Sequence, residues 1–168
     1  MKKLMIFLFG NVLLFSCQTR PQQYFTTCPE IDVIKNTNAA YVEGDWKAMR
    51  AAYADTAKIY DNTWDADQFT TADDFVRGLE TSVKDYSEYA IGEDAVFEMI
   101  VTDKAEKWVH NWFLWKGTHN NGKEVEIPIH LSFKMVDNKV ALQVNMYNVL
   151  PFYLAAQPMP VAGVPTTE

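Results

Sequence analysis

AAYVEGDWKAMRAAYADTAKIYDN, residues 39–62, predicts two helices and a strand in close succession. Gly44 suits the left-handed residue that ends a helix, and Asp45 can cap the next helix by accepting a backbone N–H. A break in periodicity at residues 55–56 is followed by a strand-like run at residues 57–60. Before that break, three apolar residues recur at i, i+3 and i+7, which predicts one helical face made of Trp46, Met49 and Tyr53.

The rest of the chain predicts two further helices and a series of strands. Pro29 is a favoured first helical position, so the first helix is expected to run from Pro29 to about Val42. Thr71 caps a third helix that is expected to close between Ser82 and Tyr89. Alternating apolar residues then predict four strands over residues 96–101, 107–118, 123–136 and 140–149. The predicted fold class is α+β, with one curved antiparallel sheet wrapped around about three N-terminal helices.

The helix, glycine stop, aspartate cap and strand of residues 39–62 resemble the opening of the nuclear-transport-factor-2-like superfamily. That superfamily includes SnoaL-like and ketosteroid-isomerase-like domains, in which two helices lead into a strand that ends beside a pocket. The resemblance covers residues 29–153 and implies the cone fold. It implies no particular reaction, because this scaffold hosts enzymes, binding proteins and association modules.

The first residues resemble a bacterial lipoprotein signal peptide. Two lysines precede a mostly apolar run at residues 4–15, which is short for a membrane span, and Ser16 precedes Cys17 as in a lipobox. We expect lipid on Cys17 and a location in the cell envelope, anchored on the periplasmic side, or secretion if Cys17 is not acylated. Phe15 is bulky where a lipobox usually has a small residue, so a cleaved secretory signal or an uncleaved anchor remains the alternative. The predicted divisions are a signal peptide at 1–16, a tether at 17–28, the domain at 29–153 and a disordered tail at 154–168.

Composition narrows the class of protein further. The chain has 168 residues, of which 48% are hydrophobic and 14% aromatic, as expected for one globular domain. Its formal charge of −7 opposes binding to nucleic acid. Cys17 and Cys28 are the two cysteines, so no internal disulfide forms if Cys17 carries lipid. The histidine spacing fits no metal motif, and neither a metal nor a cofactor is expected.

Asp61 is the leading candidate for catalysis. By the resemblance, it falls where ketosteroid isomerases carry their catalytic aspartate base. Such a base needs a carboxylate at a strand end facing an apolar pocket, where burial raises its pKa. The alternative is an aspartate that starts a turn ahead of Asn62. Aromatic residues nearby in the sequence are expected to form walls of the pocket: Trp46, Tyr60 and Trp64.

The remaining residues of an isomerase site do not match. By the same resemblance, the oxyanion-donating tyrosine would fall near Thr37 and the protonated aspartic acid near Leu131, so steroid isomerisation is not expected. His110 and His130 lie on neighbouring predicted strands and are candidates for a general base paired with Asp61, or else hydrogen-bonded histidines of a core or interface. One face of the last strand is expected to line the pocket floor or to face solvent, with Gln143, Asn145 and Tyr147.

Both faces of the predicted strand at residues 108–115 are largely apolar. Something is therefore expected to cover the side away from the helices. Homodimerisation through the sheet face is one candidate, as is usual in similar families. Cover by residues 150–153 of the same chain is the other.

Three hypotheses follow for function. The first is a lipid-anchored envelope protein of the SnoaL-like type that binds a small, mostly apolar ligand in the cone pocket without converting it. The second is a SnoaL-like isomerase, cyclase or dehydratase that uses Asp61 as general base. The third is a non-catalytic module for dimerisation or docking.

Overall fold

The structure, a computed structural model, describes residues 23–158. Its elements confirm the α+β class: helices come mainly first, and strands follow. The helices are α1 (Pro29–Glu43), α2 (Trp46–Ala51), α3 (Ala72–Ser82) and α4 (Leu150–Ala156). A 3-10 turn (Val83–Asp85) follows α3. The strands are β1 (Tyr24–Phe25), β2 (Tyr53–Asp61), β3 (Thr70–Thr71), β4 (Tyr86–Ile91), β5 (Val96–Val101), β6 (Lys107–His119), β7 (Glu124–Val136) and β8 (Lys139–Tyr147).

The strands form one curved, unclosed sheet in the order β1-β5-β6-β7-β8-β2-β3, with β4 also paired to β6. Every pairing is antiparallel except that of β2 with β8, which is parallel and places Asp61 opposite Asn145. The helices pack on the inner face of the sheet. Fully buried residues from both layers form the main core there, including Ile31, Ile34, Val109, Phe133 and Val140.

The opening stretch forms as predicted up to its second helix. Gly44 has a φ of 71°, and its N–H points back to the carbonyls of α1. The side chain of Asp45 accepts a hydrogen bond from the backbone N–H of Ala48 at 2.9 Å. Tyr53, however, lies in β2 and not on the face of α2. It pairs with Val140 and is 3% exposed, so the contacts of a buried strand override the helical spacing.

Three further segments differ from expectation. Tyr24 and Phe25, placed in the tether by sequence, pair with β5. The sequence predicts that residues 82–89 close the third helix, but residues 86–91 form β4 because they pair with the far half of β6. The chain is also helical as far as Ala156, three residues past the expected end of the domain.

Helix α4 lies on the inner side of the sheet. Its Ala155 packs with Trp115, Val125 and Ile127, which all point inward. The hypothesis that residues 150–153 cover the outer face is therefore wrong. The outer face retains exposed apolar side chains such as Val96, Trp112 and Met146, and homodimerisation through it stays a prediction.

None of the helices within residues 23–158 is long and apolar enough to cross a membrane. Cys17 and the rest of the predicted signal peptide lie outside the described residues, as does the tail beyond residue 158.

Candidate functional site

A cavity of about 570 Å³ lies between the helices and the inner face of the sheet. This volume falls in the range of small-molecule sites, which are mostly apolar with a few polar groups. Its apolar walls come from α2, α3 and the strands, and they include Met49, Phe75, Leu79, Phe113, Ile129 and Phe133.

A chain of hydrogen bonds crosses the polar side of this cavity and ends on Asp61. The hydroxyl of Tyr53 donates to Gln143 Oε1 at 2.6 Å, the amide of Gln143 donates to Asn145 Oδ1, and Asn145 Nδ2 donates to Asp61 Oδ1 at 2.7 Å. Three of its members are almost fully buried: Tyr53, Gln143 and Asn145 are 3%, 1% and 2% exposed.

The charge of Asp61 determines which group donates and which accepts at each step of this hydrogen-bond chain. A carboxylate only accepts, so Asn145 must turn its NH₂ group toward Asp61 and its oxygen toward Gln143. Gln143 must then turn its own oxygen toward Tyr53, whose O–H therefore donates. One ionised group thus fixes the orientation of three buried side chains, and these hold Asp61 in place in return.

Asp61 itself is exposed at the edge of the cavity. Its Oδ1 also accepts from the hydroxyl of Tyr147 at 3.4 Å. Burial, together with the nearby charge of Asp61, raises the pKa of Tyr147 to about 12, so that hydroxyl stays protonated at neutral pH. No residue among 23–158 donates to the second oxygen, Oδ2. That oxygen is the one available to a ligand that carries a hydrogen-bond donor.

Two other carboxylates reach the cavity lining, those of Asp74 and Asp85. Asp74 is already engaged, because Arg77 contacts it at 2.8 Å and Thr71 donates to it at 2.8 Å. Asp61 is the carboxylate at the end of the buried hydrogen-bond chain from Tyr53.

Tyr41 supplies a second polar group inside the cavity. The indole N–H of Trp115 donates to its hydroxyl oxygen at 2.9 Å, and the ring packs against Trp46 and Tyr89. Burial holds the pKa of Tyr41 well above its usual value, so the phenol keeps its proton. Nothing in the described part of the chain accepts that proton. A buried donor without an acceptor is costly, which favours a ligand acceptor or a water at this point.

Sequence reasoning missed Tyr41 although the signal was present. The resemblance pointed to Thr37, which lies one helical turn earlier on the same face of α1 and also lines the cavity. The hydroxyl of Thr37 donates to the carbonyl of Val33 within the helix. A phenol therefore lines the cavity one turn beyond the position where the isomerase pattern has one.

Helix α4 closes one side of the cavity, where Phe152 and Ala156 line it. Its last carbonyl groups are held by the β6–β7 turn. Asn121 donates to the carbonyl of Ala155 at 2.8 Å, and the ammonium of Lys123 donates to that of Leu154 at 2.9 Å. These contacts supply partners for helix-end carbonyls that would otherwise have none.

The structure separates the predicted site residues into two groups. Asp61, Asn145 and Tyr147 line the cavity, as does Gln143. The aromatic residues expected as walls lie elsewhere. Trp46 packs edge-on against Tyr41, with ring centroids 6.0 Å apart. Tyr60 and Trp64 pack on each other with ring centroids 5.7 Å apart, and neither lines the cavity.

His110 and His130 lie on the outer face of the sheet, opposite the cavity. Their facing nitrogens are 3.3 Å apart, so the two strands do bring them together. Both contact Ser132 instead of Asp61. Burial lowers the pKa of each imidazole, so both are mostly neutral at pH 7.

Among the described residues, no three His, Cys, Asp or Glu side chains converge to hold a metal ion.

Comparison with known proteins gives the fold a name. No family model and no curated protein matches the chain. Solved structures do match: a nuclear-transport-factor-2-like protein from Burkholderia xenovorans is similar with a TM-score of 0.60 at 14% identity, over 79% of this chain and 100% of that one. The fold is nuclear-transport-factor-2-like.

Other structures with this fold carry more specific descriptions. A candidate polyketide cyclase from Xanthomonas campestris is similar with a TM-score of 0.60 at 16% identity, over 77% of this chain and 97% of that one. A ketosteroid-isomerase-like protein from Catenulispora acidiphila, in complex with trimethylamine, has a TM-score of 0.57 at 8% identity, over 71% of this chain and 88% of that one. At these identities the likeness establishes the fold alone.

Proposed function

We propose that the protein binds a small, mostly apolar molecule in the cavity of its nuclear-transport-factor-2-like cone. The observation that carries this proposal is the buried chain from Tyr53 to Asp61 along one side of an otherwise apolar cavity. Buried polar groups are costly to maintain and are retained where they specify a structure or a ligand. Here they present one carboxylate oxygen to the cavity.

The two polar groups of the cavity define the chemistry of the ligand. Tyr41 offers a hydrogen-bond donor deep in the wall, and Asp61 offers an acceptor at the edge. The best match is an apolar molecule that carries both a carbonyl or similar acceptor and a hydroxyl or amine.

A fluorescent probe with both groups tests this assignment. 6-Acetyl-2-naphthol carries a ketone and a hydroxyl on a naphthalene ring, and we expect it to bind with a Kd on the order of 10 µM. 2-Acetylnaphthalene lacks the hydroxyl, and 2-naphthol lacks the ketone. Asp61→Asn is expected to weaken 6-acetyl-2-naphthol by about 10-fold or more while changing 2-acetylnaphthalene little, because only the first probe donates to the carboxylate.

The reciprocal variant and a control complete the test. Tyr41→Phe is expected to weaken 2-acetylnaphthalene and to spare 2-naphthol. Asp103→Asn removes a carboxylate on an exposed loop outside the cavity and serves as the charge-matched control. The proposal is wrong if no probe binds below about 1 mM, or if Asp61→Asn weakens both ketone probes equally.

A second candidate function is proton transfer at carbon. The observation that favours it is that a phenol donor and a carboxylate line the same cavity. Asp61 would take a proton from the carbon next to a ligand carbonyl, Tyr41 would donate a hydrogen bond to the resulting enolate oxygen, and Asp61 would return the proton.

Deuterium exchange separates this activity from simple binding. 1-Tetralone in D₂O exchanges the hydrogens beside its carbonyl, and an active site would accelerate that exchange. Asp61→Asn is expected to lower the accelerated rate by roughly 100-fold or more. A rate equal to that of buffer alone, with the probes above still bound, leaves the protein a binder.

The proposal also includes lipid on Cys17 and a location in the cell envelope, both of which rest on the sequence. It further includes homodimerisation through the outer sheet face, which rests on the exposed apolar side chains there. Mass spectrometry of the membrane fraction tests the lipid, since an unmodified Cys17 in the processed chain contradicts it.

A further inference from the structure

Three side-chain atoms, each with a lone pair that can bind a metal ion, meet on the outer face of the sheet, away from the cavity. His110 Nδ1 lies 3.0 Å from Ser132 Oγ and 3.3 Å from His130 Nε2, and these last two atoms are 3.4 Å apart. The atoms thus form a nearly regular triangle, contributed by the neighbouring strands β6 and β7.

Hydrogen bonds account for at most two sides of this triangle. For all three sides to be hydrogen bonds, each atom would have to donate once and accept once. A nitrogen of a neutral imidazole either donates or accepts but never does both. At least one side is therefore a van der Waals contact and not a hydrogen bond. A cation that accepts a lone pair from each atom would instead engage all three at once.

The dimensions suit a transition-metal ion. Donors bound about 2.0 to 2.1 Å from one ion stand roughly 2.9 to 3.4 Å apart at octahedral and tetrahedral angles. The three sides of the triangle, 3.0, 3.3 and 3.4 Å, fall in that range. We propose that His110, His130 and Ser132 form an open site for a divalent first-row transition ion, with Cu²⁺ bound more tightly than Ni²⁺ or Zn²⁺.

The surroundings of the triangle support this assignment. The ring of Trp112 stacks on that of His130 with centroids 4.6 Å apart and an angle of 2°, which fixes the orientation of the imidazole. Glu98 lies directly across from His110 on β5, and its negative charge favours a cation there. Burial lowers the pKa of both imidazoles and so favours their neutral form, which is the form that binds metals.

In the single chain the triangle is also accessible, whereas a homodimer formed through the same face would cover it. His110 and Ser132 line a cleft of about 560 Å³ on the outer face, beneath Trp64. The remaining positions around the ion would open onto this cleft. The sequence places both histidines on neighbouring predicted strands that a hairpin can bring close, but the convergence of Ser132 with them depends on the register of β6 and β7.

The test is a titration of the full chain with CuCl₂ at pH 7. The chain is purified in a non-ionic detergent without a histidine tag, and binding is followed by calorimetry and by quenching of tryptophan fluorescence. We expect a Kd on the order of 10 µM for Cu²⁺ and weaker binding of Zn²⁺. His110→Gln and His130→Gln should each weaken Cu²⁺ by about 10-fold or more, and Ser132→Ala by less.

His119→Gln is the matched control, because His119 lies in the β6–β7 turn region on the cavity side and should leave the affinity unchanged. The electron paramagnetic resonance spectrum of the unaltered protein with Cu²⁺ gives a readout independent of any variant, and two coordinated nitrogens are expected. No saturable binding below about 1 mM, a spectrum with fewer than two nitrogens, or equal affinity in His110→Gln overturns the proposal.

Discussion

Replacing Tyr53 by phenylalanine removes a single oxygen atom from the buried start of the hydrogen-bond chain. The variant retains the ring and its edge-to-face contact with Phe75, whose ring centroid lies 6.2 Å away. What is lost is the donor to Gln143 Oε1, an atom with no other donor in the described part of the chain. With Tyr53 and Gln143 only 3% and 1% exposed, water cannot easily replace the hydroxyl.

The size of the effect follows from this burial. Leaving one buried neutral acceptor unpaired costs about 1 to 3 kcal/mol in the free energy of unfolding. For a domain of this size, that corresponds to a drop of roughly 4 to 12 °C in Tm. Differential scanning calorimetry or far-UV circular dichroism measures it directly.

Tyr60→Phe is the matched control. Tyr60 lies on the same strand and is 8% exposed, but its hydroxyl has no hydrogen-bond partner among residues 23–158. We expect its Tm to change by less than about 2 °C. If the two variants lose the same stability, the directional chain from Tyr53 to Asp61 is not a structural feature of the protein.

Three further predictions concern contacts near the ends of the sheet. Lys107→Gln leaves the buried carboxylate of Glu30 without its ion pair and should lower the free energy of unfolding by about 1 to 3 kcal/mol. Lys116→Gln, which breaks an exposed pair, should lower it by less than about 0.5 kcal/mol. Urea unfolding measures both variants, and equal losses of stability would contradict the reasoning. Burial is the largest single influence on Glu30 and raises its pKa, but the hydrogen bond and charge of Lys107, together with hydrogen bonds from the backbone and from Cys28, outweigh it and lower the pKa below its ordinary 4.5. The unfolded chain therefore takes up this proton first as pH falls, and stability should decline below about pH 4.5, less steeply in Lys107→Gln. Asn121→Ala removes a hydrogen-bond donor to the end of α4, so backbone hydrogen exchange should quicken over residues 150–157 and 6-acetyl-2-naphthol should dissociate faster. Unchanged hydrogen exchange in these residues would show that this contact does not hold the helix.

Local signals made the helical opening of the fold predictable. Gly44 and Asp45 act through their own backbone and the next turn, so their roles need no tertiary information. The alternation in β7 and β8 likewise assigned each side chain to a face before the sheet was known. Gln143, Asn145 and Tyr147 share the cavity side for that reason.

The aromatic walls could not be inferred from closeness in sequence. Tyr60 is adjacent to Asp61, but successive residues of a strand point to opposite faces, so Tyr60 turns away from the cavity that Asp61 lines. The true walls come from α3 and the central strands, far along the chain. The spacing of Tyr53 predicts a helical position, and only the pairing of β2 with β8 places it in the sheet.

Gly78 offers the most direct test of the cavity. It lies on the stripe of α3 that lines the cavity with Phe75 and Leu79, and a Cβ added there meets nothing within 4 Å. Gly78→Ala and Gly78→Leu should both keep or raise Tm, because glycine inside a helix costs about 0.5 to 1 kcal/mol relative to alanine.

The decisive measurement is the Kd of 6-acetyl-2-naphthol for the unaltered protein and these two variants. The account predicts that Gly78→Ala binds the probe like the unaltered protein, and that Gly78→Leu, equally well folded, binds it at least about 10-fold more weakly because leucine takes up space in the cavity. Equal affinity in all three proteins would contradict the claim that this cavity holds the ligand.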